Sequence, residues 1–255
     1  MTPRRSSHGR HRPPAAQRPK AGAPAPLGAS GPAEGAEPLV VIVEDDDVLV
    51  AVKPAGLPTA NAARGVASLF SMVKDRLGPG GFVGVVSRLD APVSGIVVMA
   101  KTRAAAASLS RQFRERSVEK SYIAICGGRF PAPLGQWVEW RDTIERPDGE
   151  EGPGRTQEAH VRARVVRRVG EVQLVELEPS SGRRHQLRAQ LASRGCPIVG
   201  DRLYGSRLHF PVGIALHARA LAFDHPVTGK RVRLERAPPE SWKKRHPMLF
   251  RSSRG

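Results

Sequence analysis

The chain is short of cysteine, of aromatics and of long apolar runs, and each shortage closes a class of function. Cys126 and Cys196 are the only two cysteines in 255 residues. Neither has a His or Cys partner at ligand spacing, so neither a disulfide framework nor a zinc site is indicated. Both read as reduced thiols of a cytoplasmic protein. No apolar stretch approaches the ~18 residues of a membrane-crossing helix. The N-terminus is basic but lacks the apolar core of a secretory signal, and Pro13, Pro14 and Pro19 oppose the amphipathic helix of a transit peptide. There is no Gly-rich phosphate loop, which leaves a nucleotide cofactor unsupported. Tyrosine occurs twice, as Tyr122 and Tyr204. No internal repeat is visible.

Acid is scarce too. Against 41 Lys and Arg stand 24 Asp and Glu, a formal net charge of +17. The excess is concentrated at the ends. Residues 1–38 hold 6 basic and 2 acidic side chains, and residues 230–255 hold 9 and 2. Between them the balance is 26 to 20, still basic. A polyanion is the natural partner, nucleic acid being the commonest, and such binding weakens steeply with salt as counterions are released.

Residues 1–38 carry eight prolines among Ala, Gly, Arg and Ser, with Leu27 the sole large aliphatic after Met1. Such a segment cannot bury enough apolar surface to offset its ordering entropy, and it reads as a disordered basic tail. An ordered domain is expected over 39–236, followed by a second basic tail over 237–255. LVVIVEDDDVLVAVKPAGL reads as two strands around Asp45-Asp46-Asp47. Val66, Leu69, Phe70 and Val73 place a helix over 65–77, and an Ala- and Arg-rich helix is expected over 103–116. Apolar runs at 82–86 and 96–100 and the alternation of 118–126 predict strands. Residues 141–157 read as an exposed loop. Alternation from Ala159 to Val165, a turn near Gly170 and VQLVELEP predict a hairpin. A short helix over 184–194 ending at Gly195, then strands over 214–223 and 231–235, complete the pattern. Strands outnumber helices and hairpins are consecutive, so the expected class is α+β on a mixed, mostly antiparallel sheet.

Three places hold polar groups that could do chemistry. In FVGVVSRLDAPVSGIVVMAKT, Arg88 and Asp90 sit on a short link between two apolar runs, where flanking strands would hold a catalytic carboxylate rigidly. An Asp that merely accepts backbone N–H groups in a turn fits the local pattern as well. In SSGRRHQLRAQLASRG, Arg184 and Arg188 are four apart and would share a helical face, with Leu187 and Leu191 on another. The segment reads either as a solvated basic helix or as an anion-seeking surface whose arginine pairs with Asp90 and favours its charged form. In Lys120-Ser121-Tyr122 the tyrosine opens a strand, as a core residue or as one that stacks on a base or handles a proton. A Ser94–His185–Asp90 hydrolase triad is disfavoured, because no nucleophile-elbow pattern surrounds Ser94. Together the pieces describe a basic cleft with one carboxylate, one arginine and one aromatic, suited to a flipped nucleobase.

Those stretches resemble a known family. SRLDAPVSGI is similar to the loop H-R-L-D-x-x-T-S-G-L of RluA-type RNA pseudouridine synthases. In the family's order follow EDDDVLVAVKPAG at the start, KSYIAI, then SGRRHQLRAQLASRGCPIVGDRLYG, then LHARALAFDHPVTGK. The resemblance covers roughly residues 40–230. It implies a pseudouridine synthase fold, a basic cleft, no metal or organic cofactor, and isomerisation of uridine in rRNA or tRNA. It implies that Asp90 is the aspartate that starts the chemistry, by covalent addition or by removal of a sugar proton. Arg188 matches the arginine paired with it, and Tyr122 the tyrosine that packs on the uracil and joins the late proton transfer at C5. Arg88 matches the arginine that enters the RNA stack in place of the target base, with Arg184 and Leu187 completing the substrate contacts. With few aromatics, recognition would lean on RNA shape and phosphates. The chain departs from the pattern at Ser87, Val93 and Gln190, where His, Thr and His are usual, and at Arg184, where a small Thr is common. Many relatives carry an N-terminal RNA-binding domain of the S4 type; residues 1–38 are too polar to fold as one, and the basic tails would supply RNA affinity instead. The expectation is a stand-alone monomeric enzyme acting on RNA; the rival is an RNA-binding assembly protein on the same fold.

Overall fold

The computed structural model describes residues 38–145 and 156–251. The expected N-terminal tail, residues 1–38, therefore lies almost wholly outside the described residues. β1 (Val40–Glu44) and β2 (Val48–Lys53) pair antiparallel as the expected hairpin. Its turn is held by the Asp45 carboxylate, which accepts from the backbone N–H groups of Asp47 and Val48, each at 2.8 Å. α1 (Leu69–Leu77) starts later than the helical period implied, because Ser68 and Ser71 form a reciprocal capping box that sets its first turn. α2 (Arg103–Glu115) is capped by Thr102 and ends where Arg116 turns left-handed.

The remaining strands are β3 (Gly84–Val85), β4 (Ser94–Ala100), β5 (Glu119–Gly127), β6 (Val138–Glu145), β7 (Thr156–Val169), β8 (Val172–Pro179), β9 (Leu216–Asp224) and β10 (Arg231–Glu235). They form one ten-stranded sheet with the central order β1-β2-β4-β9-β5-β8-β7-β6; β3 pairs with β4, and β10 with β9. β4 and β9 run parallel, and the other pairings among the described residues are antiparallel. The mixed, mostly antiparallel α+β class is as expected.

Two readings change. Residues 141–145, taken as loop, continue β6 in register with β7, from Glu145 opposite Thr156 to Val138 opposite Ala163. Trp140, buried at the edge of the core, anchors that strand against Phe130, their rings 5.2 Å apart. The basic C-terminal segment is not a free tail over its described part. α4 (Glu240–Arg245) and a 3-10 turn at Pro247–Leu249 dock on the domain. Trp242 and Leu249 are each only 2% exposed, and Trp242 meets the rings of Phe210 and His217 edge-on. One buried tryptophan outweighs the segment's charge, because burying such a ring removes 150–250 Å² from water.

The sheet divides beside β4, and this division positions the site. At its start, Ser94 and Gly95 pair with His217 and Ala218 of β9; at its end, Met99 and Ala100 pair with β3. Between the two partners a gap opens, and residues 86–92 run along it. Gly95 is required there, since a Cβ would collide with the backbone N and O of Ala218.

Candidate active site

A cleft of about 960 Å³ opens at this division. The 86–92 link forms its floor, the end of α2 and the start of β5 one wall, and residues 180–185 the other. Its charged lining is one-sided: Arg88, Arg114, Arg116, Lys120, Arg183 and Arg184 face it, and Asp90 is the one carboxylate among the described lining residues. Among the described residues, Asn61, Arg116 and His185 are the non-glycine residues with left-handed backbone, and all three line this cleft. Such conformations persist only where the surroundings hold them, and they gather at functional sites.

Asp90 is placed by contacts distant in sequence. The Leu89 N–H donates to Thr59 Oγ1 at 3.0 Å, and Thr59 Oγ1 donates back to the Leu89 carbonyl at 2.7 Å. The Ala91 carbonyl accepts from the Gly56 N–H at 2.8 Å and from Lys53 Nζ at 3.1 Å. Lys53 is fully buried, its ammonium satisfied also by the carbonyls of Pro54 and Leu57. Burial pulls its pKa down to about 7 against the favourable charge of Asp90. Val93, where the loop it resembles has Thr, is 2% exposed and packs in the core beneath the loop. The frame of the loop therefore rests on Lys53, Gly56 and Thr59 together with a buried Val93. Sequence reasoning gave no role to Lys53 or Thr59.

α3 (Gln186–Ala192) carries the arginine. Arg188 Nη1 donates to Asp90 Oδ2 at 3.1 Å, while Nε and Nη2 grip both oxygens of Asp201 at 2.7 and 2.9 Å. Burial opposes the charge on Arg188, but Asp201 first and Asp90 second more than restore it, so its pKa lies above the usual guanidinium value. His185 Nε2 lies 3.6 Å from the same Asp90 oxygen. Arg184 does not share a helical face with Arg188: His185 turns left-handed between them, so the helix begins at Gln186. Arg184 is exposed on the cleft wall, whereas Arg188 is buried. Leu187 is 7% exposed and lines a small recess shared with Asp90, Tyr122 and Arg188.

Tyr122 faces the cleft from β5, and burial together with the Asp90 charge pushes its phenol up to about 12. Nearby, Lys120 Nζ donates to the Ser181 carbonyl at 3.0 Å, and burial plus the charge of Arg116 bring its pKa to about 8. Arg88 is exposed in the cleft and has no hydrogen bond or ion pair among the described residues. Gln190, in place of the usual His, is buried and links Gln186 to Asp142, to which it donates at 2.6 Å. The disfavoured hydrolase triad does not form, because Ser94 is buried against His217, Oγ 2.9 Å from Nδ1.

Residues 47–193, more than half the chain, match the family described as RNA pseudouridylate synthase. The chain belongs to this family. Pseudouridine synthases are isomerases: they break the N1–C1′ bond of a uridine in RNA and join C1′ to C5, which gives up its hydrogen. Among relatives, the chain is 35% identical over 227 residues to the ribosomal large subunit pseudouridine synthase D of Xanthomonas campestris pv. campestris, covering 80% of this chain and 67% of that one. It is 31% identical over 234 residues to the ribosomal large subunit pseudouridine synthase C of Salmonella typhimurium, covering 84% and 71%. Among solved structures, human RNA Pseudouridylate Synthase Domain Containing 1 superposes with a TM-score of 0.64 at 27% identity, over 79% of this chain and 84% of that one. As a pseudouridine synthase of the RluA type, the protein presents Asp90, the one carboxylate among the described lining residues, where the sheet divides.

Proposed function

We propose that the chain converts a uridine of large-subunit ribosomal RNA to pseudouridine, with Asp90 starting the reaction. The observation that carries this is the lone carboxylate of a cleft otherwise lined by cations and gripped from behind by Arg188. The names of the two relatives given above, which specify the large ribosomal subunit, support that RNA as substrate. The uridine must leave its stack to reach Asp90, at a cost of a few kcal/mol. Phosphates on the cleft arginines offset that cost, and Arg88, without a partner of its own, fills the vacated stack. Arg184 contributes to the cationic wall, and Leu187 closes the recess below the base. Tyr122, a neutral hydroxyl at pH 7, packs on the uracil and passes on the C5 proton. One chain supplies every one of these groups, which supports action as a monomer. A ribosomal RNA substrate supports a cytoplasmic setting.

The experiment is tritium release from 5-³H-uridine-labelled large-subunit rRNA. Wild type is expected to release tritium, and Asp90→Ala to release none while still binding the RNA in a filter assay. Continued release by Asp90→Ala would remove Asp90 from its role, and silence of the wild type would remove this RNA.

A further inference from the structure

His185 sits in a costly conformation that does nothing for its own helix. It stands at the N-cap of α3 with φ 55°, and its side chain makes no capping hydrogen bond. Left-handed backbone costs a non-glycine residue on the order of 1 kcal/mol, and a side chain at this position would ordinarily satisfy a free backbone N–H. The ring is turned instead toward two other groups. Nε2 lies 3.6 Å from Asp90 Oδ2, and Nδ1 lies 3.1 Å from the Tyr204 hydroxyl. Tyr204 meets the imidazole edge-on at 85°, and its own face lies under the Arg188 guanidinium, whose Cζ is 4.9 Å from the ring centre. One tyrosine thus buttresses both groups that approach Asp90.

The protonation pattern follows from these neighbours. Burial above all holds the imidazole below its ordinary pKa; Asp90 pulls the other way, Arg188 and Arg184 act with burial, Asp201 weakly against it, and the net direction is downward, which favours the neutral ring at pH 7. A neutral imidazole has one N–H and one acceptor nitrogen. With the N–H at Nδ1, the lone pair of Nε2 would face the Asp90 carboxylate, a repulsive arrangement. With the N–H at Nε2, that hydrogen faces the carboxylate, and Nδ1 accepts from the Tyr204 O–H. Neither approach is then repulsive.

We propose that His185, set in its Nε2–H tautomer by Tyr204, is a positioning residue for the isomerisation. With Arg188 it holds Oδ2 of Asp90, so that Oδ1 is the oxygen presented to the uridine. Both of these cleft-side contacts of the carboxylate fall on Oδ2, and among the described residues Oδ1 receives no hydrogen bond. The 3.6 Å separation is longer than a hydrogen bond, and such catalytic contacts commonly tighten once substrate is bound. This assignment rests on Asp90 as the reactive carboxylate.

The test pairs kinetics with a spectroscopic readout. His185→Asn keeps a residue that tolerates left-handed backbone but lacks the reach to Asp90; His185→Gln keeps an N–H near the Nε2 position. On ³H-labelled large-subunit rRNA, H185N is expected to lose about 10- to 100-fold in kcat at unchanged KM, as expected for a misplaced reacting group. H185Q should recover much of that loss, and Tyr204→Phe should impair the enzyme only when His185 is present. The imidazole ¹⁵N shifts of His185 should report the Nε2–H tautomer in wild type and a mixture in Y204F, with no substrate needed. Silence of the wild type on this RNA would therefore sink the ribosomal reading while the nitrogen shifts still decide the tautomer. Wild-type kcat in H185N, or an Nδ1–H tautomer in the wild type, overturns the assignment.

Discussion

Arg188 gives two of its three hydrogen bonds to Asp201 and one to Asp90, so the residue that braces the cleft carboxylate is itself braced. Asp201 and Arg188 are 1% and 6% exposed at their side chains, and the fork of the guanidinium matches the two carboxylate oxygens in a way that no lysine could. Removing one member of such a pair leaves the other charged and buried, a loss of about 3–5 kcal/mol. Asp201→Asn is therefore expected to lower the urea midpoint strongly. It should also slow tritium release, because Arg188 is freed to swing off Asp90. An unchanged midpoint would mean that the fork contributes nothing to folding. At this scale the sequence was legible where chemistry sits in short motifs: Asp90, Tyr122 and Arg188 converge as expected. It was silent on Lys53, Thr59 and Asp201, whose contacts are to backbone or to residues far along the chain. Helical spacing also misled at Arg184, because periodicity assumes right-handed backbone and His185 departs from it.

Between elements, β4 and β9 meet through Gly95, which lets the backbones approach, and through Ser94 and His217, which tie them together. His217 also reaches the Arg236 carbonyl through Nε2, at 3.2 Å, and Trp242 lies edge-on to its ring. Burial, above the weaker opposing pull of that carbonyl, takes its pKa to about 4. The folded value lies below the unfolded value of ~6.5, so the folded state excludes a proton that the unfolded chain binds. Stability from this group is complete above pH 6.5 and is lost as pH falls toward 4, by up to about 3 kcal/mol. Comparing urea midpoints of wild type and His217→Gln between pH 7 and 4 isolates this from the carboxylates. The wild type should fall more steeply, and parallel curves would show that the histidine is not responsible. The elements themselves were largely legible, because most strands announce themselves as apolar runs or as alternation. β6 did not, since Glu139, Arg141 and Asp142 mask the in-facing Trp140. The run at 82–86 looked like a full strand, yet only Gly84–Val85 pair, because the sheet divides there.

Across the whole molecule, the cleft and the N-terminal segment hold positive charge in two ways that salt can separate. Inside the cleft, Arg88, Arg114, Arg116, Lys120, Arg183 and Arg184 surround Asp90 at fixed positions. At the chain's start, residues 1–38 carry six basic and two acidic side chains in a composition with almost nothing to bury. Charge held in the cleft can act on the target nucleotide, whereas charge in a Pro-rich segment can only collect phosphates around it. The two contributions are therefore expected to differ in kind, turnover depending on the cleft and affinity without selectivity on the N-terminal segment. Each phosphate neutralised contributes about 0.7 to 0.9 to the slope of log affinity against log salt. Removing residues 1–38 is expected to weaken binding to large-subunit rRNA at low salt and to flatten that slope by up to about 4 to 5. The kcat at saturating RNA and the urea midpoint should both be retained. Arg114→Glu should instead weaken binding while the segment's share of the slope stays in place. A deletion variant with the wild-type slope would exclude the N-terminal segment from RNA binding and leave affinity to the cleft and the basic residues 230–255.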